Sequence, residues 1–213
     1  MRDLKIPEET IRRLSRYLRY LEEVKENGKK GISSAQLATK CMVNSPLVRK
    51  DLSYFGKFGI RGVGYHVDDL LYDIKQILGL SKEWRMAVIG IGDLGSSLLA
   101  YKDFLKHNYQ IVAAFDIDPS KVIGRVSEKL GKPVEVLHID RIKKVAKERK
   151  IEIGIITTPP SEAQNAANML VEAGGRGILN FAPVQITVPE GYVVKDVFFT
   201  TTLDNLTYLL SNI

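Results

Sequence analysis

The chain has 213 residues, room for one large domain or two small ones at about 150 residues each. At 45% hydrophobic and 26% charged it has a globular composition, which excludes disorder, and its single cysteine, Cys41, excludes a disulfide framework or a cysteine-rich metal site. The net charge of +6 is segregated: residues 1–82 carry 16 Lys/Arg against 10 Asp/Glu, residues 83–213 carry 15 against 15, so an anionic partner is expected for the first part only, nucleic acid before an acidic membrane surface.

No apolar run approaches the roughly 20 residues that span a bilayer, and Met1-Arg2-Asp3-Leu4-Lys5 offers no secretory signal. The expectation is a cytoplasmic protein with no membrane partner. Three segments are expected: 1–82, 83–200 and a C-terminal helix over 201–213, with the first junction near Gly79–Glu83.

The first segment reads helical. Pro7 with Glu8 and Glu9 opens a helix, Ile11, Leu14, Leu18, Leu21 and Val24 recur at helical spacing, and Asn27-Gly28 closes it. Ser33 with Gln36 forms a capping box for a short second helix. Ser45-Pro46 opens a third, serine as cap and proline at the first helical position. Gly56 to Tyr65 interleaves four glycines with alternating apolar residues and reads as a tight β-ribbon. A fourth helix carries Val67, Leu70, Leu71, Ile74, Ile77 and Leu78 on one face, ending at Gly79. This order is the plan of a winged helix-turn-helix.

In the third helix Val48, Leu52 and Phe55 fall on one side, and at about 100° per residue Arg49, Lys50, Ser53 and Lys57 fall on the other. Cations and a hydroxyl on an exposed face suit phosphates and base edges of double-stranded DNA. Arg61, between glycines of the ribbon, suits a minor groove or a phosphate. Arg13, Ser45 and Tyr54 complete the expected DNA-facing set.

The second segment alternates strands and helices, so a doubly wound parallel sheet of the Rossmann type is expected. Met86–Ile89 is its first strand, followed by a glycine turn and a helix to about Lys106. Ile111–Phe115 follows, ending at Asp116, then a weak strand near Val134–Leu137 and a lysine-rich helix from Ile139 to Lys150. Further strands are expected over Ile151–Thr157 and Gly177–Asn180, around a helix beginning near Ser161.

Gly90-Ile91-Gly92-Asp93-Leu94-Gly95 sits between a strand and a helix, where glycines permit a tight turn, a pyrophosphate approach and close helix packing. Asp116 lies 21 positions after Gly95, at the end of the next strand. There it can accept from both adenosine ribose hydroxyls, which favours NAD(H) over NADP(H). The lesser alternative is that it merely caps the turn into Asp118-Pro119. Thr157-Thr158-Pro159 and Asn180-Phe181-Ala182-Pro183 end strands at the sheet edge where ligands bind, and read equally well as plain turns.

His66, His107 and His138 form no oriented acid–base pair, and Tyr101 lacks a lysine four residues on, where Leu105 stands. A nucleotide site without such groups suggests sensing and no enzyme activity.

From Ser45 to Tyr65 the sequence Ser-Pro-Leu-Val-Arg-Lys-Asp-Leu-Ser-Tyr-Phe-Gly-Lys-Phe-Gly-Ile-Arg-Gly-Val-Gly-Tyr resembles the recognition helix and wing of Rex, the family of redox-sensing bacterial repressors. The register continues through Gly90–Gly95, Asp116 and Ile178–Pro183, nearly the whole chain. The resemblance implies a homodimer on palindromic operators that compares NADH with NAD+ and leaves DNA when NADH closes the Rossmann domains. It implies that Arg49, Lys50 and Arg61 contact DNA, that Gly90–Gly95 and Asp116 cradle the dinucleotide, and that Arg19 and Tyr101 exchange hydrogen bonds in the redox switch. The family's aspartate before the C-terminal helix falls on Phe198 here, with Asp204 as a possible substitute, and its neighbouring apolar position on Phe199. The helix bearing Leu203, Leu206, Leu209 and Leu210 is similar to the one the family exchanges between subunits, and by pattern alone is also an ordinary packing helix. Phe199 with Phe181 is expected to form an apolar pocket for the reduced nicotinamide. Two rival readings stay open: a small NAD-dependent oxidoreductase with a basic appendage, and a regulator sensing a coenzyme A derivative.

Overall fold

The computed structural model describes residues 6–60, 62–121 and 135–212. The chain divides into two compact units, Met1–Lys82 and Glu83–Ile213.

In the first unit, α1 (Glu8–Glu26) buries Thr10, Leu14, Tyr17, Leu18, Leu21 and Val24. Ile11, expected in that stripe, is exposed. Thr10 turns inward in its place because its hydroxyl donates to buried Asp51. Asn27 and Gly28, the latter at φ 73°, end the helix. β1 (Gly31–Ile32) leads to α2 (Ser34–Lys40), whose capping box forms as expected: the Gln36 amide donates to Ser33 Oγ at 3.2 Å and the Ser33 amide to Gln36 Oε1 at 2.9 Å.

α3 (Ser45–Ser53) corrects the expectation by one residue. Its cap is Asn44, whose Oδ1 accepts from the Leu47 amide at 2.8 Å. Ser45 and Pro46 therefore take the first helical positions, where an amide is unpaired in any case. The helix stops at Ser53, so Tyr54, Phe55 and Lys57 lie beyond it. Among the described residues the expected ribbon contains one antiparallel bridge, Ile60 to Gly64, and β2 (Tyr65–His66) paired with β1. Gly56, Gly59, Gly62 and Gly64 all take positive φ, which breaks a continuous ladder. α4 (Val67–Ile77) then buries Val67, Leu70, Leu71 and Ile74.

The second unit contains β3 (Trp84–Ile89), α5 (Asp93–Leu99), α6 (Asp103–Lys106), β4 (Tyr109–Asp116), β5 (Val136–His138), α7 (Ile142–Glu148), β6 (Ile153–Ile156), α8 (Pro160–Glu172), β7 (Gly177–Asn180), β8 (Val193–Asp196) and α9 (Phe199–Leu210). The strands form one sheet in the order β5-β4-β3-β6-β7-β8, every pair parallel. In chain order this is the 3-2-1-4-5-6 arrangement of the Rossmann fold. Alternate residues of β3 feed two cores. Ala87 and Ile89 pack with Ile142, Val145, Ala163 and Leu170 of α7 and α8, whereas Met86 and Val88 pack with Leu99 of α5 and against Phe104 of α6.

Several boundaries shift. The single helix expected to Lys106 is two, because the chain tightens to i→i+3 bonds at Tyr101 and Phe104. The lysine-rich helix begins at Ile142, after a 3-10 turn over Ile139–Arg141, and Val134 of the expected weak strand lies outside the described residues. β8 was not expected at all. No helix among the described residues is long and apolar enough to cross a membrane.

Candidate DNA-binding surface and nucleotide cradle

The turn between α2 and α3 contains no glycine, yet Met42 takes φ 54° there and stands 87% exposed. The chain reverses through bonds from the Met42 amide to Thr39 O and from the Val43 amide to Ala38 O. Val48 and Leu52 anchor α3 inside while Arg49, Lys50 and Ser53 face outward. Arg49 donates to Ser34 Oγ at 3.1 Å, and the Ser53 hydroxyl donates to the Lys50 carbonyl at 2.7 Å. Arg49, Ser53, Lys57, Ser33, Ser34 and Tyr65 line one cleft between α3 and the glycine loop. Lys57 is exposed; Ser45 and Tyr54 are half-buried at the two ends of α3. Arg61 lies outside the described residues. Burial raises the Tyr65 hydroxyl above its ordinary pKa against the lowering effect of Arg49, which keeps it a neutral phenol.

Arg13 is placed differently from the rest of its set. Its guanidinium points into the unit and donates to both oxygens of Asp51, Nε at 2.6 Å and Nη2 at 2.7 Å. Asp51, 1% exposed, was absent from the sequence reading. Its position one residue before Leu52, on the margin of the apolar stripe, was the available signal: a carboxylate there needs a cation. Burial pushes the Asp51 carboxyl up, but hydrogen bonds from Arg13, Tyr17 and Thr10 outweigh it and hold its pKa below the usual carboxylate value. Cys41 is buried, and burial raises its thiol.

In the second unit the parallel register brings Ile89, Phe115 and Ile156 level, so the residues that follow meet at the carboxyl edge of the sheet. Each glycine of the turn has a separate reason. A Cβ on Gly90, which has φ 91°, would lie 2.9 Å from Thr157 and Thr158; one on Gly95 would strike the Gly90 carbonyl oxygen; one on Gly92 meets nothing within 4 Å. The turn is thus closed against its own scaffold and open outward at Gly92, the form a pyrophosphate cradle requires. Ile91 is fully buried by its side chain, and its amide donates to Asp116 Oδ2 at 2.7 Å. Asp116 Oδ1 accepts from the Asp118 amide at 2.9 Å. Asp116 therefore does cap its turn and also clamps the glycine loop, while remaining half-buried at the site.

Thr157 donates to the Gly90 carbonyl at 2.6 Å. Thr158 Oγ1 is buried with no partner within the protein, an unfilled polar valence beside Gly90 that fits a bound nucleotide. Phe115, Asp116, Ile117, Thr158 and Pro159 line a common cleft with Glu162 and Asn165 of α8, two residues the sequence reading did not single out. Asp93 and Leu94 open α5 on the exposed side.

Asn180 is fully buried and serves the loop itself. Its Nδ2 donates to Val184 O at 2.8 Å and Asp196 Oδ1 at 2.7 Å, and its Oδ1 accepts from the Ala182 amide at 3.0 Å. This fixes Phe181, buried Ala182 and exposed Pro183. Phe181 stands 6.2 Å from Phe199, centroid to centroid. Tyr101 is exposed and donates to Asp103 Oδ2 at 3.3 Å; Arg19 is exposed on α1. Phe198 is the half-buried cap of α9, Asp204 is exposed, and α9 buries none of its residues.

The amino-terminal residues 5–53 match the family described as "Putative DNA-binding protein N-terminus", and residues 81–184 match the "CoA binding domain". The chain is 51% identical to the redox-sensing transcriptional repressor Rex of Syntrophobacter fumaroxidans over 99% of both proteins. It is 47% identical to that of Carboxydothermus hydrogenoformans over 98% of both. Among solved structures it is similar to RSP in complex with β-NAD+ and operator DNA, at TM-score 0.88 and 37% identity over 97% of this chain and 93% of that one. It is also similar to RSP in complex with β-NADH, at TM-score 0.84 and 35% identity over 99% and 96%.

Proposed function

Because the chain belongs to the Rex family of redox-sensing transcriptional repressors, we propose that it binds palindromic operator DNA as a homodimer and is released by NADH. The observation that carries this reading is the end-to-end similarity to RSP, a protein crystallised with β-NAD+ and operator DNA and also with β-NADH. A free Gly92 face and an unpartnered Thr158 hydroxyl support a dinucleotide in the cradle. The coenzyme A reading draws on a family description alone.

Residues 1–82 form the DNA-binding domain, with Ser45, Arg49, Lys50, Ser53, Tyr54, Lys57 and Arg61 as the contact set. Residues 83–200 form the nucleotide domain. Gly90 to Gly95, Thr157, Thr158 and Pro159 hold the pyrophosphate side, Asp116 the adenosine ribose, and Phe181 to Pro183 with Phe199 the nicotinamide side. Asn180 acts by holding that loop. The bound dinucleotide supplies a charge difference, NAD+ against NADH, and no group transfer. Phe181 and Phe199 form an apolar wall that favours the uncharged reduced ring, since a charged ring loses hydration there. The helix α9, Phe199–Leu210, is the dimerisation helix: Phe199, Leu203, Leu206, Leu209 and Leu210 are each 55–61% exposed except Leu206 at 50%, an apolar face that another subunit covers. Arg19 and Tyr101 are the switch residues. Phe198 supplies no charge where the family has aspartate, so any charged partner for that switch must come from another position.

The protein acts in the cytoplasm, where the operator is, and is not an enzyme. The test is a gel shift on a palindromic promoter site with NADH and NAD+ titrated separately. Release at lower NADH than NAD+ concentration is expected; equal response to both, or turnover of NADH with a carbonyl substrate, overturns the reading.

A further inference from the structure

Asp51 sits between Lys50 and Leu52 on the inner side of α3, and all its hydrogen-bond donors come from α1. Thr10 Oγ1 reaches Oδ1 at 3.1 Å, Arg13 Nη2 reaches Oδ1 at 2.7 Å, Arg13 Nε reaches Oδ2 at 2.6 Å, and Tyr17 OH reaches Oδ2 at 2.8 Å. The spacing 10, 13, 17 puts the three donor residues on one helical face. Each carboxylate oxygen receives two donors, so the cluster is satisfied. The carboxylate is 1% exposed and the Arg13 side chain 15% exposed.

A buried ion pair is a poor device for stability alone, because well-packed apolar residues of similar volume do as well or better. What a forked guanidinium on a carboxylate adds is geometry: two bonds of fixed direction, lost when the partner shifts. Here they fix how α3 is turned about its axis relative to α1, and so where the neighbouring Arg49 and Lys50 project. Base-edge contacts tolerate little displacement, since hydrogen bonds weaken steeply beyond their narrow range of length and angle.

We propose that the Asp51 cluster sets the docking angle of α3, making Arg13 and Tyr17 positioning residues for operator recognition that do not themselves touch DNA. The inference rests on the DNA-binding reading above. It reassigns Arg13, whose charge Asp51 neutralises, from phosphate contact to helix orientation. The low pKa of Asp51 keeps the lock charged throughout the neutral range.

The test measures binding of the full-length protein to an operator selected from a random-sequence library, and to random DNA, across a salt series. In Arg13→Lys the charge remains and the fork is lost. Operator affinity is expected to fall about tenfold, the scale of one lost base contact, with random-DNA affinity within about twofold and an unchanged slope of log K against log salt, since the phosphate contacts are untouched. Tyr17→Phe removes one hydroxyl and is expected to give the same pattern, severalfold in size. The apolar double variant Arg13→Met with Asp51→Leu should fold, bind random DNA and lose operator preference.

A phosphate contact behaves oppositely. Lysine would preserve operator binding, and Arg13→Ala would weaken both DNAs and lower the slope by about 0.9; that result overturns the proposal. So does operator binding at wild-type strength in a folded double variant, or unfolding of the mild Tyr17→Phe variant by circular dichroism, which would make the cluster a stability element. If the wild-type protein itself shows no operator preference, the functional reading fails; preference retained in every variant sinks this inference alone.

Discussion

The two units position their candidate groups by different mixtures of side-chain and backbone contacts. In the first, a side-chain cluster around Asp51 ties α3 to α1. In the second, close packing of the glycine backbone is joined by side-chain hydrogen bonds from Asp116 and Asn180. Gly90 and Gly95 pack against Thr157, Thr158 and the Gly90 carbonyl too closely for any Cβ. A charge lock can be loosened by protonation or by a one-atom change. A backbone lock is indifferent to pH and fails by steric collision.

The largest expected effect is Asp51→Ala, which strands Arg13 in a partly buried site and should destabilise the first unit by about 3–5 kcal/mol. Calorimetry should show its transition lowered while NADH affinity is kept; a loss below about 1 kcal/mol would mean that Arg13 finds water and the lock is weak. Next is Gly95→Ala, where the added methyl meets the Gly90 carbonyl. Overpacking of this kind costs about 1–3 kcal/mol, and NADH binding should drop at least tenfold without altering random-DNA affinity. Asp116→Ala should weaken NADH by about 1–3 kcal/mol and narrow the discrimination against NADPH. Because Asp116 also holds the Ile91 and Asp118 amides, a titration in which affinity falls but discrimination stays would assign it to the loop only.

The pH dependence tests the Asp51 cluster directly. The Asp51 carboxyl has a folded pKa below its ordinary value, so its stabilisation is present above about pH 4 and is lost as pH falls through the lower folded value. Acid unfolding of the first unit should therefore lose a component in Asp51→Asn, while Gly95→Ala keeps the wild-type acid profile. The smallest structural effect is expected at Gly92→Ala, since nothing lies within 4 Å of the added Cβ. Stability should stay within about 0.5 kcal/mol, and NADH affinity alone should fall; unchanged affinity would remove the pyrophosphate from that face.

Local chemistry was enough to determine a good deal of this protein. The Ser33–Gln36 capping box, the strand Gly177–Asn180, the glycine turn after Ile89 and the outward face of Arg49 and Lys50 depend on residues within a few positions of one another. For that reason periodicity and spacing reveal them. The boundary errors are local competitions decided by one atom, as where Asn44 outreaches Ser45 for the Leu47 amide. The strand β8, Val193–Asp196, was not expected; it is a short edge strand whose ladder is made by pairing with β7. Tertiary structure alone decided the fate of the charges. Arg13 and Arg49 are equivalent basic residues in sequence, and which of them reaches solvent depends on a carboxylate 38 positions from Arg13. Asn180 and Thr158 both read as polar strand ends, yet one is saturated by its own loop and the other left with an open valence. Helical and strand periods are set by neighbouring residues, whereas hydrogen-bond partners are chosen in three dimensions, among groups that only the folded chain brings within 3 Å.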